Sequence, residues 1–317
     1  MKIIVTGGAG FIGSHLSRKL IEEKHDLLII DSFHPYYSPE RKKMQLSFVR
    51  EIGSFRFAQK DLLLDEEDLQ EVFHEFKGDC VVHLAAIPGV SHSLSAPHEY
   101  VDYDIKATIN TLRMAGESGV SKFVFASSSS VYGNTDHKPS REEDATGSVV
   151  SPYAAAKYSA ESFCKAYASI YGMELTILRF FTVYGPWGRP DMAIYSFIKK
   201  LMNGQELPIF GLENTRDYTY IDDIVDGTYK AIGSDESGTF NLGNGSPISM
   251  DRLISELKRH FPSLNLNVTD RRLGDVTSTC ADFSKANEVL GYSPMVSFEE
   301  GIRRTVQWMR EHEEIVL

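Results

Sequence analysis

The chain is short of cysteine, of positive charge and of long apolar runs, and each shortage excludes something. Its three cysteines, Cys80, Cys164 and Cys280, are odd in number and far apart. They lack metal-ligand spacing, so a disulfide framework and a metal site are not expected, and they read as small buried apolar side chains in a reducing compartment. No stretch reaches the ~18 consecutive apolar residues that cross a bilayer, so no membrane partner is expected. Lys and Arg number 33 against 44 Asp and Glu, a formal charge of −11. An acidic chain without a basic block repels phosphate backbones, which argues against a nucleic-acid partner. The opening MKIIVTGGAGFIG is apolar but broken by glycines and lacks the long core of a signal peptide. These readings lead us to expect a soluble, cytoplasmic protein. Internal repeats and low-complexity segments are also missing.

What is there is a rhythm. A chain of 317 residues can bury roughly three quarters of its unfolded surface, enough for one large domain or two. Strand-like apolar runs fall at Lys2–Thr6, Leu27–Asp31, Arg56–Gln59, Cys80–Ala85, Lys122–Ser127 and Leu175–Phe180. Helix-like stretches lie between them, at Gly13–Glu23, Glu66–Phe76, Ile105–Ser118 and Pro152–Tyr171. Continuous apolar strands alternating with helices imply a parallel sheet covered on both faces, an α/β doubly wound fold. After Phe180 the rhythm loosens. Helices are expected at Ile194–Asn203, Met250–His260 and Phe298–Glu313, and Tyr218–Ile232 reads as a strand entering a helix. We therefore assign 1–180 to a nucleotide-binding domain, with 218–243 returning to it, and 181–317 to a smaller substrate domain.

The loop Thr6–Gly13 follows the first strand and opens the first helix, the context that gives a glycine-rich spacing its meaning. Gly7 suits a tight turn, Gly10 close approach of a pyrophosphate, and Gly13 close helix–strand packing. Helix-start N–H groups then attract phosphate. Asp31 follows eighteen residues after Gly13, where a carboxylate accepts from a ribose 2′-hydroxyl and repels a 2′-phosphate. No arginine follows directly, so the cofactor expected is NAD.

Tyr153 and Lys157 stand one helical turn apart, on one face of Pro152–Tyr171. Pro152 suits a helix start, and the run Ser127–Ser130 follows a buried strand. With these residues the chain resembles the extended short-chain dehydrogenase/reductase family, in its sugar-nucleotide branch. The matching motifs are TGGAGFIG, HLAA (His83–Ala86), SSSSVYG (Ser127–Gly133), YAAAK (Tyr153–Lys157) and RDYTYIDD (Arg216–Asp223). The resemblance implies a Rossmann-type domain, a smaller C-terminal α/β domain, bound NAD, a UDP-sugar substrate and a homodimer. It implies that Tyr153 takes the hydroxyl proton, that Lys157 favours the phenolate and holds the nicotinamide ribose, and that Ser128 bonds the same oxygen. Phe11, Ile12, Asp61, Leu62, Leu84, Ala85 and Ala86 are implied as further cofactor contacts.

Dehydratases and decarboxylases of this family carry acids in the turn held here by Ser128, Ser129 and Ser130. Without them, what remains is oxidation, rotation of the keto-sugar and re-reduction, an epimerisation. Ser127, Ser129 and Ser130 are read either as turn-forming hydroxyls or as substrate contacts. The run Arg179–Ala193 resembles that of the UDP-glucuronate 4-epimerases. Thr182, where neutral-hexose epimerases have Asn, leaves room for a C5 carboxylate. Alternatives are action on UDP-glucose or a UDP-N-acetylhexosamine, then decarboxylation, then a non-catalytic NAD-binding regulator. Arg189 is either a ligand for carboxylate or diphosphate, or a loop anchor. Arg216 and Arg272 match family positions that clamp a diphosphate, and otherwise read as surface ion pairs. Asp275 is expected near the uridine ribose. Asp104 stands where relatives often have Asn, and the loop 34–43 is assigned to cofactor contact.

Overall fold

Alternation along β1 (Lys2–Thr6) sends Ile3 and Val5 to one apolar layer and Ile4 to the other, all fully buried. A strand buried on both faces belongs in the middle of a covered sheet. The computed structural model describes residues 1–135, 137–210, 212–269 and 276–316, and it has that form. β2 (Asp26–Ile30), β3 (Arg56–Ala58), β4 (Cys80–His83), β5 (Lys122–Ser128) and β6 (Glu174–Phe180) follow in chain order. Then come β7 (Thr182–Tyr184), β8 (Leu207–Phe210), β9 (Thr215–Arg216), β10 (Tyr218–Tyr220), β11 (Gly238–Leu242), β12 (Ile248–Ser249) and β13 (Leu266–Thr269).

The main sheet has seven strands in the order β11-β6-β5-β4-β1-β2-β3, every pair parallel. The order reverses between β1 and β4, the switch point outside which open α/β sheets bind ligands. β11 brings the chain back to the sheet edge beside β6 after the loosened stretch. The short strand before it, β10, instead pairs with β7 beyond the end of β6, outside the main sheet. β9 pairs with β12 and β8 with β13 in two further small sheets.

The helix Pro152–Tyr171 forms where local chemistry favours it. The Ser151 hydroxyl accepts the Ala154 N–H at 3.2 Å, Pro152 opens the first turn, and Gly172 ends it in the left-handed region at φ 69°. The helix expected at Ile105–Ser118 is divided. Val101–Lys106 winds as a wide π turn before Ala107–Glu117 continues as α-helix. Three cysteines, all buried, are free. No helix among the described residues is long and apolar enough to cross a membrane.

Candidate functional site

The C-terminal ends of β1, β2, β4, β5 and β6, with β7 above them, enclose a cavity of about 380 Å3. Glycine makes its floor possible. Gly7 sits at φ +70°, and a Cβ there would come within 2.7 Å of the Ala85 nitrogen. A Cβ on Gly13 would fall on the Gly7 carbonyl. The helix Phe11–Glu22 begins at Gly10 with no side chain capping it, so its first N–H groups face the cavity with bonding capacity unspent.

Asp31 lies just past β2. Its Oδ2 accepts the Ala9 N–H at 3.1 Å and its Oδ1 the Phe33 N–H at 2.8 Å. Burial raises its proton affinity, opposed by the Lys42 ammonium and by those two N–H groups. Each oxygen keeps a lone pair for a hydroxyl donor. An uncapped helix end beside a glycine floor, with a carboxylate to one side, has the donor and acceptor set of a dinucleotide. NAD therefore fits the residues present. Phe11, Ile12, Asp61, Leu62, Leu84, Ala85 and Ala86 line the same cavity.

Tyr153 and Lys157 reach this cavity from one helix face. Lys157 is nearly buried, and its Nζ donates to the Ala126 carbonyl at 3.2 Å and lies 3.8 Å from Asp104 Oδ2. Asp104 is fully buried on the wide turn, where its Oδ1 accepts the Ile87 N–H at 2.7 Å. Burial pushes its carboxyl up to about 6, against the pull of Lys157. His83 beside them is held down to about 3 by burial, and its ring nitrogens meet Thr6 Oγ1 at 2.8 Å and Thr108 Oγ1 at 3.0 Å.

The serine turn divides its labour. Ser127 donates to buried Glu161 at 2.5 Å, so its hydroxyl is spent on structure. Ser128 Oγ accepts from the Ser130 N–H at 3.1 Å and the Ser130 hydroxyl at 3.0 Å, and Ser128, Ser129 and Ser130 all line the cavity. Thr182, on β7, lines the cavity as well, its N–H donating to the Asp217 carbonyl at 3.0 Å. Arg216 lines the cavity and donates to the Thr215 carbonyl at 2.9 Å. Arg189 makes a two-point bond with Asp191, at 3.0 and 2.7 Å, while still lining the cavity. Arg272 and Asp275 lie outside the described residues.

Sequence reasoning missed Asp191, whose Oδ2 also accepts the Tyr36 hydroxyl at 3.1 Å. Burial and that carboxylate push Tyr36 up to about 12, which keeps it a donor. The stretch 34–43, expected as a loop, runs into the helix Pro39–Arg50, which Pro39 opens and the Ser38 hydroxyl caps; from it Tyr36, Tyr37 and Lys42 line the cavity. Arg41 turns away to bond the Tyr195 hydroxyl at 2.8 Å and the Gly188 carbonyl at 3.0 Å. Only the spacing Arg189–Asp191 was available as a local signal, and it did not reveal the tyrosine.

A family model described as the NAD dependent epimerase/dehydratase family matches residues 3–243. A UDP-glucuronate 4-epimerase of Thermodesulfobacterium geofontis is 38% identical, over 99% of this chain and 97% of that one. The crystal structure of the UDP-glucuronic acid 4-epimerase from Bacillus cereus, in complex with UDP-glucuronic acid and NAD, matches with a TM-score of 0.92. It is 36% identical, covering 98% of this chain and 99% of that one. A UDP-glucose 4-epimerase of Thermotoga maritima, solved with UDP-glucose, matches with a TM-score of 0.89 at 32% identity, covering 98% and 99%.

Proposed function

The chain belongs to the NAD dependent epimerase/dehydratase family, and from that premise we propose that it interconverts UDP-glucuronate and UDP-galacturonate as a 4-epimerase. The observation that carries this reading is the lining of the cavity. Among its described residues the only carboxylates are Asp31 and Asp61, while the wall beside Tyr153 offers the hydroxyls of Ser128, Ser129, Ser130 and Thr182. No acid stands in the serine turn to protonate a departing group, which leaves oxidation and re-reduction at one carbon.

NAD bound there would supply the acceptance and return of a hydride at sugar carbon 4. Gly7, Gly10, Phe11, Ile12, Gly13 and Asp31 would hold it, with Asp61, Leu62, Leu84, Ala85 and Ala86 along its length. Tyr153 takes the proton of the 4-hydroxyl and returns it to the oxygen after the sugar has turned over. Lys157 supports the phenolate with its charge, and Ser128 bonds the reacting oxygen. Arg216 and Arg272 clamp the diphosphate, with Asp275 on the uridine ribose. Arg189, held by Asp191, is assigned to the loop above the sugar.

A 4-keto uronate is a β-keto acid and loses CO2 when its carboxylate bond aligns with the carbonyl π system. Hydroxyls from Thr182 and the serine turn fix that carboxylate out of alignment, a catalytic effect of orientation. UDP-glucose is the second reading, on the likeness to the Thermotoga maritima enzyme. Purified protein given each UDP-sugar separately and followed by NMR separates the two. UDP-galacturonate from UDP-glucuronate, with little UDP-galactose from UDP-glucose, supports the assignment; the reverse overturns the substrate and leaves the Tyr153 chemistry standing.

The same proposal includes a cytoplasmic homodimer. The helix Pro152–Tyr171 exposes Phe163 and Ile170 seven residues apart, on one face, and sedimentation equilibrium gives the mass that decides it.

A further inference from the structure

Lys157 and Asp104 come from segments about fifty residues apart, and they meet as two buried charges, of which Lys157 lines the cavity and Asp104 does not. Asp104 spends one oxygen on the Ile87 N–H and has no hydrogen-bond partner on the other. That second oxygen is the one 3.8 Å from Lys157 Nζ. A buried carboxylate oxygen with nothing but a long ionic contact is incompletely satisfied. An amide in its place would serve Ile87 equally well through its oxygen, so the backbone contact does not account for a carboxylate. The second oxygen does.

We propose that Asp104 is a positioning residue of the reaction: its carboxylate, facing Lys157 from the wide turn Val101–Lys106, takes a share of the ammonium's charge and so sets how much of it supports Tyr153. This rests on the roles assigned above to Tyr153 and Lys157. π turns inserted in helices recur at functional sites, and this one carries Asp104 into the buried cluster with Lys157.

His83 and Tyr100, packed beside this pair, are uncharged. From β4, His83 faces Lys157 as a neutral ring, with both nitrogens already bonded to Thr6 and Thr108. Tyr100, on the helix Pro97–Tyr100, donates to the Pro88 and Gly89 carbonyls at 3.0 and 2.8 Å, and burial keeps it protonated. Its ring packs edge-on to Tyr153 at 5.9 Å. The charges that bear on Tyr153 are therefore Lys157 and Asp104 within this cluster and, from the loop after β7, Arg189, whose guanidinium is paired with Asp191. Ionised Asp104 competes with the phenolate for the same ammonium; protonated Asp104 releases it. Because burial holds the Asp104 carboxyl up to about 6, the exchange falls in a physiological range.

The test uses the full chain with NAD bound and the variant D104N, which keeps an acceptor for Ile87. The ultraviolet phenolate titration is read with Y153F subtracted, so that it needs no turnover, and kcat/KM is measured against pH. We expect both the phenolate titration and the rising limb of kcat/KM to move to lower pH by about one unit in D104N, the size of effect an ion within a few ångströms has. D104S, uncharged and smaller, is expected to move them the same way and serves if D104N does not fold. Uncharged variants that fold and leave both titrations where they were, while Y153F is inactive, overturn this proposal alone. A fully active Y153F overturns the functional reading and this inference with it.

Discussion

The helix Pro152–Tyr171 buries two charged residues one turn apart, and the fold treats them oppositely. Glu161 receives Arg179 through two hydrogen bonds, at 2.9 and 2.8 Å, and the Ser127 hydroxyl as well. Arg179 is in turn bonded to the Tyr132 hydroxyl at 3.1 Å and the Glu142 carbonyl at 2.7 Å. Four residues earlier, Lys157 has one carbonyl and one distant carboxylate. The first network is saturated, and saturated networks rigidify. The second keeps donors of the Lys157 ammonium unspent beside a cavity, where a ligand can complete them. A buried charge that the protein fully satisfies holds the turn carrying Ser127–Ser130; one it leaves short is available to chemistry.

Breaking the saturated side has the largest expected effect. Arg179→Met strands Glu161 without its partner, and loss of one member of a buried pair costs about 3–5 kcal/mol. A denaturant midpoint close to wild type would show that the network is not what holds this region.

Asp104→Asn sharpens the other side and has the opposite sign. In the fold burial pushes the Asp104 carboxyl up to about 6, from the 3.8 of a free aspartate. The folded state thus binds more protons between these values, and the stability so gained is present below about pH 4 and lost as pH rises through about 6. An uncharged Asn escapes that loss. The variant is expected to be more stable than wild type at pH 7 by up to about 3 kcal/mol, with the gap closing toward pH 4. Melting curves across this range check it, and a gap that does not change with pH would sink the idea that burial strains this carboxylate.

The smallest effect of the three is Ser127→Ala. It removes one hydrogen bond to a charged group that keeps its arginine, a cost of about 2 kcal/mol. Because the Ser127 hydroxyl is turned to Glu161, KM for UDP-glucuronate is expected to stay unchanged; a raised KM would return Ser127 to the substrate.

Much of this arrangement is legible in the sequence. Lys2–Thr6, Glu66–Phe76, Pro152–Tyr171 and Met250–His260 form with the ends that their patterns and caps mark. β7, β9, β10 and β12 have only two or three residues each, too few for alternation to register. Tyr218 therefore reads as the start of a strand without revealing that its partner is Thr182 and not the main sheet. The division of Ile105–Ser118 escapes for a related reason. The apolar spacing of a π turn over six residues hardly differs from that of an α-helix.

By itself the sequence determined the six strands between Lys2 and Phe180 that alternate with helices, the glycine floor and the shared face of Tyr153 and Lys157. Each of these is local, set by periodicity, capping and backbone freedom within one or two turns of chain. Only the tertiary structure decided that Ser127 serves Glu161, that Asp191 gathers Arg189 and Tyr36, and that Asp104 lies beside Lys157. Those pairings join segments brought together by the crossovers of the sheet. A side chain's residue type states what it can bond, but burial and the neighbour across the fold determine whether that capacity is used up or left for a ligand.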